Sequence, residues 1–483
     1  MSLYDIYVTG LIPLSIVLII FVIFFERKNP SSTIAWVLVL AFLPGLGFIA
    51  YLMLGTGFHI RKKKKYAVKA AYDDAYQDLF LKYITKMRQR PERVPMRTAR
   101  SRMQHYFDNE GEGKYTEGND VEVFTDGETF FTRMLRDIDR AEKHIHILYY
   151  IFKNDNIGKE LTALLTKKAA QGVEVRVIYD SLGALLSSDN RFNDLRKAGG
   201  ETGVFSPVFF SLSSQLRLNY RNHRKITVVD GKIGYVGGMN IGDEYLGRDK
   251  KCYPWRDTQV RLTGPSVWFL QERFLLDWLY VKDLSLESEQ MGDFFPPPLL
   301  KGDKGVQIVS SGPDTSGSPI KSGFLAMIYG ASSHVWMQTP YFTPDDSFLE
   351  AMRIAAASGI DVRLMISRIS DNAPVQAATL SFARQMLDCG VRVFLYDGFL
   401  HSKTMLFDAQ AVTIGSANLD NRSFTQNFEV NAFIYDLEFI AQYRTIFLAD
   451  QRRCMELDEI WFKRRHFIKR AFGRFCRLFA PLM

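Results

Sequence analysis

Two long apolar runs open the chain. Residues Ile6 to Phe25 carry no charge, and a helix rising about 1.5 Å per residue over this length matches the hydrocarbon core of a bilayer. A second run covers 33–54, with a Pro44-Gly45 interruption. The polar turn between them predicts a two-helix transmembrane hairpin. A cleaved signal peptide is the alternative for the first run, but no basic residue precedes it and no small-residue cleavage site follows.

After residue 115 the pattern changes to short β-branched strands that alternate with amphipathic helices, and the unit occurs twice. Strands at 144–152 and 173–179 flank one helix, and strands at 334–339 and 360–366 flank another. This alternation predicts an α/β fold, with mixed, largely parallel sheets covered by helices on both faces.

The linker between the two copies contains Gly292 and the run 296–298 of three prolines, which marks a boundary between lobes. The sequence therefore predicts five parts: a transmembrane hairpin at 1–60 with spans 6–25 and 33–54, a basic juxtamembrane connector at 61–115, lobe 1 at 116–290, lobe 2 at 291–450, and a basic amphipathic C-terminal helix at 451–483.

The positive charge is concentrated in two short segments. The net charge is +8, yet residues 61–65 supply five cations and residues 460–483 supply seven without an acidic residue. Without these twelve, the 61 basic residues fall to 49, fewer than the 53 acidic ones. This distribution argues against a nucleic-acid groove in the body and favours an anionic membrane surface as partner. The cations after the second run place the lobes in the cytoplasm by the positive-inside rule.

The C-terminal segment has a helical stripe of large apolar residues with cations on the opposite face. Trp461, Ile468, Phe472, Phe475 and Phe479 lie along one line at about 100° per residue. The pattern is typical of a helix at a membrane interface, although such a stripe can equally pack on the chain's own domain.

One motif with chemical meaning occurs in both copies. The pattern HxKxxxxD, followed by Gly-Gly/Ser-x-Asn, recurs at a constant offset of 178 residues. Its members are His223, Lys225, Asp230 and Asn240 in the first copy, and His401, Lys403, Asp408 and Asn418 in the second.

Strand alternation assigns faces within this motif. His223 and Lys225 are two residues apart and share a face. If the strand runs unbroken, Asp230 has the opposite parity and is expected to brace the motif. Two histidines and two lysines supply what a phosphodiester reaction requires: a nucleophile, a proton donor for the leaving alkoxide, and cations for the phosphate oxygens. No metal site and no cofactor are therefore predicted.

The duplicated motif resembles the phospholipase D superfamily, and the whole chain is similar to bacterial cardiolipin synthases. The similarity includes the two apolar N-terminal runs and the stretches 253–257 and 264–265 after the first motif. The resemblance implies two phospholipase D-like α/β/α lobes with pseudo-two-fold symmetry, one shared active site, and a phosphohistidine intermediate.

The resemblance also implies residue roles. His223 would be the nucleophile, His401 the general acid and then base, with Lys225, Lys403, Asn240 and Asn418 around the phosphate. Asp257 and Glu429 resemble the family's carboxylates that fix the histidine tautomer, a role that an imidazole nucleophile requires.

The predicted activity is transfer of a phosphatidyl group between two phosphatidylglycerol molecules, giving cardiolipin and glycerol in a bacterial cell membrane. A hydrolase with the same motifs and an inactive membrane adaptor are the alternatives. The intact motifs argue against the adaptor. The residues leave open whether water or lipid is the acceptor, and whether phosphatidylethanolamine can replace one phosphatidylglycerol.

Overall fold

A computed structural model describes most of the two lobes and parts of the N-terminal region. The described residues are 7–25, 30–48, 51, 98–110, 113–183, 189–205, 220–249, 252–282, 294–315 and 317–482. The basic run 61–65, most of the predicted connector 61–115 and the predicted lobe boundary at 290–291 lie outside them.

Two apolar helices form the described N-terminal region. Helix α1 covers Ile12–Phe25, after a π-helical turn at Tyr7–Leu11, and helix α2 covers Pro30–Phe42. The two helices contact each other, with Val22 and Trp36 in a small apolar cluster between them. Within the described part of the chain, no single helix combines the length and the hydropathy needed to cross a bilayer.

The remaining helices and strands follow the predicted repeat. The helices are α3 Ala99–Glu110, α4 Gly127–Asp139, α5 Asn156–Ala170, α6 Asn193–Lys197, α7 Val267–Lys282, α8 Pro319–Gly330, α9 Asp346–Ala357, α10 Ala373–Asp388, α11 Asn421–Thr425, α12 Leu437–Gln451, α13 Glu459–Arg464 and α14 Phe467–Arg477. The strands are β1 Thr116–Phe124, β2 His144–Tyr149, β3 Glu174–Asp180, β4 Glu201–Phe205, β5 Lys225–Val229, β6 Ile233–Gly237, β7 Trp255–Arg256, β8 Gln259–Thr263, β9 Lys304–Ser311, β10 His334–Thr339, β11 Phe342–Thr343, β12 Asp361–Ser367, β13 Arg392–Tyr396, β14 Phe399–Leu400, β15 Thr404–Phe407, β16 Ala411–Gly415, β17 Leu419–Asp420, β18 Glu429–Ile434 and β19 Cys454–Leu457.

One sheet of fifteen strands runs through both lobes. Its order is β19-β13-β12-β10-β15-β16-β18-β9-β1-β8-β6-β5-β2-β3-β4. Strands β9 and β1 pair antiparallel at the centre, and the strand order on one side repeats that on the other, apart from the edge strand β19 of lobe 2. This arrangement gives the lobes their pseudo-two-fold relationship.

The expectation of a largely parallel sheet is wrong. Parallel pairing within this sheet is confined to β2-β3-β4 and β10-β12-β13, where helical crossovers join the strands. The motif strands instead pair with their neighbours as antiparallel hairpins, β5 with β6 and β15 with β16, because only short turns join them. The sheet is therefore mixed, with antiparallel pairs in the majority.

Helices cover both faces of the sheet. On one face, α7 and α12 pack on a core that continues from lobe 1 into lobe 2. On the other face, α4 and α5 cover lobe 1, while α8, α9 and α10 cover lobe 2. The shared core fixes the two lobes against each other, so groups at their junction hold a defined geometry.

The C-terminal segment differs from the single helix expected over 451–483. It begins with β19, which pairs with β13, and continues as two helices, α13 and α14. The helices are separated at Arg465, which has an extended backbone, and at His466, whose ring nitrogen accepts the backbone N–H of Ile468.

Candidate active site

Each histidine of the duplicated motif lies at the start of a strand, at the junction of the two lobes. His223 precedes β5 and His401 precedes β15. The lysine two residues later folds back, so that Lys225 Nζ donates to the His223 carbonyl at 2.6 Å and Lys403 Nζ donates to the His401 carbonyl at 2.5 Å. Both lysines are buried.

The imidazole of each lobe is held by a carboxylate of the other lobe. His223 Nδ1 lies 3.0 Å from Glu429 Oε2, and His401 Nδ1 lies 2.6 Å from Asp257 Oδ2. Asp257 and Glu429 were predicted to fix the histidine tautomers, but the sequence did not assign their partners. The structure assigns them across the lobe junction.

The backbone makes the same crossed connection. His223 N donates to the carbonyl of Phe428, and His401 N donates to the carbonyl of Arg256, at 2.9 and 2.7 Å. Phe428 and Arg256 directly precede the two carboxylate residues. Each histidine is therefore bound to one segment of the opposite lobe through both its backbone and its side chain.

The hydrogen bonds of His223 define its neutral tautomer. Its Nδ1 also lies 3.1 Å from the carbonyl oxygen of Ser416, which can only accept. Nδ1 must therefore carry the proton, and Nε2 keeps a lone pair for nucleophilic attack. His401 Nδ1 also contacts a carboxylate, that of Asp257, as His223 Nδ1 contacts that of Glu429.

Burial shifts the pKa values in this site. It lowers the pKa of His223 to about 4, although the charge of Glu429 opposes the shift. Burial also lowers the pKa of Lys225 to about 7 and that of Lys403 to about 8. His401 has a lowered pKa as well, through burial and the charge of Lys403. Without an anion, the site thus favours neutral imidazoles, and a bound phosphate would favour protonation of the lysines.

Three side chains that sequence reasoning missed or left out of the site orient Glu429. Ser416 Oγ donates to Oε2 at 2.5 Å, Ser423 Oγ donates to Oε1 at 2.9 Å, and Asn427 Nδ2 donates to Oε1 at 3.3 Å. Burial alone would raise the pKa of Glu429, but the charge that His223 carries when protonated and the hydrogen bond from its ring lower it. Glu429 is therefore an ionised, fixed acceptor.

The counterpart of Ser416 in lobe 1 is Gly238, 178 residues earlier. A Cβ at Gly238 would overlap the carboxylate of Asp257, which occupies that space and accepts the N–H of Thr258 at 2.7 Å. The Gly/Ser difference between the motifs is the sequence signal for this asymmetry: the shorter carboxylate lies beside glycine, and the longer one beside a serine that binds it.

The predicted phosphate-binding amides already have protein partners. Asn240 Oδ1 accepts the N–H of Ile151 at 3.1 Å, and its Nδ2 donates to the Tyr245 hydroxyl at 2.5 Å. Asn418 donates a side-chain hydrogen bond to Asp420. Each amide nitrogen carries two hydrogens, so the one donated hydrogen bond leaves a second N–H of each side chain as a donor for a phosphate oxygen.

The motif aspartates lie at the far ends of their strands. Asp230 accepts the backbone N–H groups of Glu142, Lys143 and His144. Asp408 does the same for residues 332–334. Both have a positive φ, at 53° and 45°. They join the motif hairpins to β2 and β10, and they make none of the hydrogen bonds that hold the histidine and lysine side chains.

Aromatic rings surround the imidazoles. Tyr150 packs edge-on against His223, with ring centroids 5.2 Å apart. Trp255 lies 5.3 Å from His401 and stacks on Phe399. These residues were not predicted, although Trp255 lies in the stretch that carries the family resemblance. The rings restrict the imidazoles and displace water from around them.

Comparison with known proteins agrees with this architecture. A family model described as the PLD-like domain of cardiolipin synthase matches residues 134–252 and 324–451, and one described as phospholipase D-nuclease N-terminal matches 14–55. The chain is 40% identical to a cardiolipin synthase of Listeria innocua, with 95% of each chain covered. It is 43% identical to the major cardiolipin synthase of Bacillus subtilis, with 93% of each covered.

The chain belongs to the bacterial cardiolipin synthase family. This membership confirms the resemblance that the duplicated motif carried. Phosphatidylserine synthase of Haemophilus influenzae has a similar structure, with a TM-score of 0.58 and 15% identity over 75% of this chain and 95% of that one. At this identity the similarity shows the fold alone.

Proposed function

We propose that the chain transfers a phosphatidyl group from one phosphatidylglycerol to another, forming cardiolipin and glycerol. The crossed histidine–carboxylate pairs carry this proposal, because they hold two imidazoles with Nδ1 bound and Nε2 available for chemistry. Family membership favours this reaction over hydrolysis, which the same residues can also perform.

In the first step, His223 Nε2 bonds to the phosphorus of the donor lipid. The bond from phosphorus to the glycerol head group breaks, and the leaving oxygen takes a proton from His401. The negative charge of the donor phosphate favours this protonated form of His401, opposing the effect of burial. The product is free glycerol and a phosphatidyl group on His223.

In the second step, His401 accepts a proton from a hydroxyl of the second phosphatidylglycerol. The oxygen of that hydroxyl attacks phosphorus, and the bond to His223 Nε2 breaks. Lys225 and Lys403, with one N–H each of Asn240 and Asn418, are assigned to the nonbridging phosphate oxygens. The acceptor hydroxyl and water compete at this step, so the reaction depends on exclusion of water.

The substrates place the reaction at a membrane, and the N-terminal helices support this location. Large apolar side chains on α1 and α2 are exposed, including Val17 at 63%, Phe24 at 74% and Phe42 at 76%. Exposed apolar surface of this extent marks a membrane or protein contact. We assign residues 6–25 and 33–54 to the bacterial cell membrane as a hairpin, with both lobes in the cytoplasm and the basic run 61–65 at its anionic surface.

The activity can be tested with purified enzyme in phosphatidylglycerol liposomes without added metal, following lipids and glycerol by mass spectrometry. Equal amounts of cardiolipin and glycerol are expected. His223→Ala and His401→Ala should abolish both products, whereas His105→Ala, at an exposed histidine of α3, should not. Phosphatidic acid as the main product would instead identify a hydrolase.

A further inference from the structure

The apolar stripe of the C-terminal helix α14 faces away from the protein. The buried residues of α14 are Gly473 and Cys476. Its large apolar side chains are instead exposed: Phe467 at 67%, Ile468 at 60%, Phe472 at 45% and Phe475 at 57%. The sequence left open whether the stripe packs on the chain's own domain. Trp461, in α13, packs against the lobe 2 core, whereas Ile468, Phe472 and Phe475, in α14, are exposed.

The inner face of α14 is fixed on α10. Gly473 allows close approach, because a Cβ there would lie 2.8 Å from the carbonyl oxygen of Ala377. The Arg477 guanidinium lies 4.1 Å from the ring centre of Phe382 and donates to Gln385. Helix α14 is therefore docked on lobe 2 through this inner face, while its opposite face stays exposed.

Charge identifies what covers this exposed face. Residues 460–483 contain seven cations and no acidic residue. At about 100° per residue, Arg470 and Arg474 lie along one edge of the apolar arc and Lys469 beyond the other. Exposed apolar residues bordered by cations are typical of a helix lying in the interface of an anionic bilayer.

The position of α14 in the fold supports the same occupant. The turn that follows it, Ala480–Leu482, contacts the N-terminal helix α2. The exposed apolar side chains of α1 and α2 and those of α14 thus belong to elements joined by contact. A bilayer that receives the hairpin can therefore also receive α14.

We propose that α14 lies in the membrane interface, with Phe467, Ile468, Phe472 and Phe475 in contact with anionic lipid, and that it thereby holds lobe 2 at the bilayer surface. The proposal rests on the proposed function, in which both substrates are membrane lipids.

Two routes of packing contacts, hydrogen bonds and chain segments link the docked tail to the proposed catalytic groups. In the first, Gln376 of α10 donates to the Ser367 carbonyl, and the Ser367 hydroxyl accepts the N–H of Leu400, which precedes His401. The tail thus packs on a helix that is hydrogen-bonded, through Ser367, to the segment that precedes His401, the proposed proton donor.

The second route leads to the nucleophile. Asn421 Nδ2 lies 3.5 Å from the Ala480 carbonyl, and Asn421 begins the helix α11 that carries Ser423. Ser423 donates to Glu429, the partner of His223. The lipid-facing helix therefore fixes the position of the active site relative to the bilayer.

A fluorescent label on the full chain tests this placement. The four native cysteines are replaced, Phe475→Cys is introduced, and an environment-sensitive fluorophore is attached. The matched control is Leu437→Cys, at a residue of lobe 2 with a similar exposure of 65%. Both proteins are reconstituted in vesicles of phosphatidylcholine and phosphatidylglycerol, some with nitroxide-labelled acyl chains.

The label at position 475 is expected to shift its emission to the blue and to be quenched several-fold by the nitroxide lipids, whereas the control label is unaffected. Arg470→Glu with Arg474→Glu should weaken the quenching at 475. Equal solvent exposure at both positions would overturn the proposal. A blue shift that persists in detergent and grows with protein concentration would also overturn it, because a second copy of the chain would then cover the helix.

Measuring cardiolipin on the same samples separates this proposal from the proposed function. Cardiolipin formation with a solvent-exposed label at 475 would refute the interfacial helix alone. A lipid-quenched label without any phosphatidyl transfer would refute the proposed activity alone.

Discussion

His223 and Glu429 belong to different lobes, yet His223 Nδ1 and Glu429 Oε2 are 3.0 Å apart. The His223 backbone also binds the residue preceding Glu429. Neither motif histidine has its carboxylate partner in its own lobe, because His401 depends in the same way on Asp257. The two copies of the motif thus form one candidate active site only through the docking of the two lobes.

Replacing the carboxylate of one crossed pair should greatly reduce turnover. In Glu429→Gln the amide keeps an acceptor for His223 but loses the charge that stabilises the imidazolium. We expect kcat to fall by about 10²–10⁴-fold, by analogy with the aspartate of a serine-protease triad. Steady-state rates of cardiolipin formation measure this effect. Glu438→Gln, at an exposed position on α12, is the control. A fall below threefold in Glu429→Gln would show that the pair is dispensable.

A methyl group at Gly238 should displace Asp257. Because the added Cβ would overlap the carboxylate, Gly238→Ala should weaken the hydrogen bond to His401 and lower activity at least about tenfold, with a stability cost of about 1–3 kcal/mol. Activity and thermal unfolding are measured on the same samples. Gly317→Ala, where a Cβ meets no atom within 4 Å, should behave like wild type. Equal activity of the two variants would refute this role of Gly238.

Binding of a phosphate-like anion should depend on pH through the lysines. Lys225 and Lys403, with pKa values of about 7 and 8, carry a charge below those values and lose it above them. The affinity for tungstate, a phosphate mimic, should therefore be highest below about pH 7 and fall as the pH rises toward 9.

Isothermal titration calorimetry at pH 8 in buffers of different ionisation enthalpy should also show proton uptake, because the bound anion raises the lysine pKa values. In Lys225→Arg the guanidinium stays charged, so the fall should begin at higher pH. An affinity independent of pH from 6 to 9 would contradict these assignments.

Asp408 should contribute to stability rather than to chemistry. Burial alone would raise its pKa, but the backbone N–H groups of His334, Ser332 and Ser333 lower it overall. Its stabilising contribution is therefore present above the pKa of the unfolded chain and is lost as the pH falls through the lower pKa of the folded chain.

Asp408→Asn should lower the melting temperature at pH 7 and reduce the free energy of unfolding by about 1–3 kcal/mol. In acid, where the wild-type carboxylate is protonated, the melting temperatures of the variant and the wild type should lie closer together. Asparagine tolerates the positive φ at this position, so charge and hydrogen bonding are the main changes. Thermal unfolding followed by circular dichroism at pH 7 and pH 4 is the measurement. An unchanged melting temperature with lost activity would instead assign Asp408 to catalysis.

The sequence was sufficient for the features that depend on local pattern. Motif spacing singled out both histidines and both lysines, which the structure brings together at the lobe junction. Asp230 was expected to brace the motif, and it binds backbone N–H groups, although the parity argument for this role does not apply because β5 covers only Lys225–Val229. The two β-α-β units were also found, because apolar strands and helices have different periods.

Features that depend on the docking of the lobes or on tight turns could not be predicted from the local sequence pattern. The pairing of His223 with Glu429 joins residues 206 positions apart and requires the lobes to meet. In the sequence, Ser423 and Asn427 are ordinary polar residues. Only the fold brings both of their side chains to the carboxylate of Glu429. Most strand pairs in the sheet are antiparallel because tight turns join them. The sequence pattern of these strands is the same as that of parallel strands, so it did not reveal the pairing.

Capture of the covalent phosphatidyl intermediate on His223 would decide whether this residue is the nucleophile. A phosphatidyl ester with a nitrophenol leaving group needs no proton from His401, so His401→Ala should complete the first step and, lacking a base, accumulate the adduct. Peptide mass spectrometry under neutral conditions is expected to find one phosphatidyl group on the peptide containing His223, and none in His223→Ala. Nitrophenol release without an adduct on His223 would rule out His223 as the nucleophile.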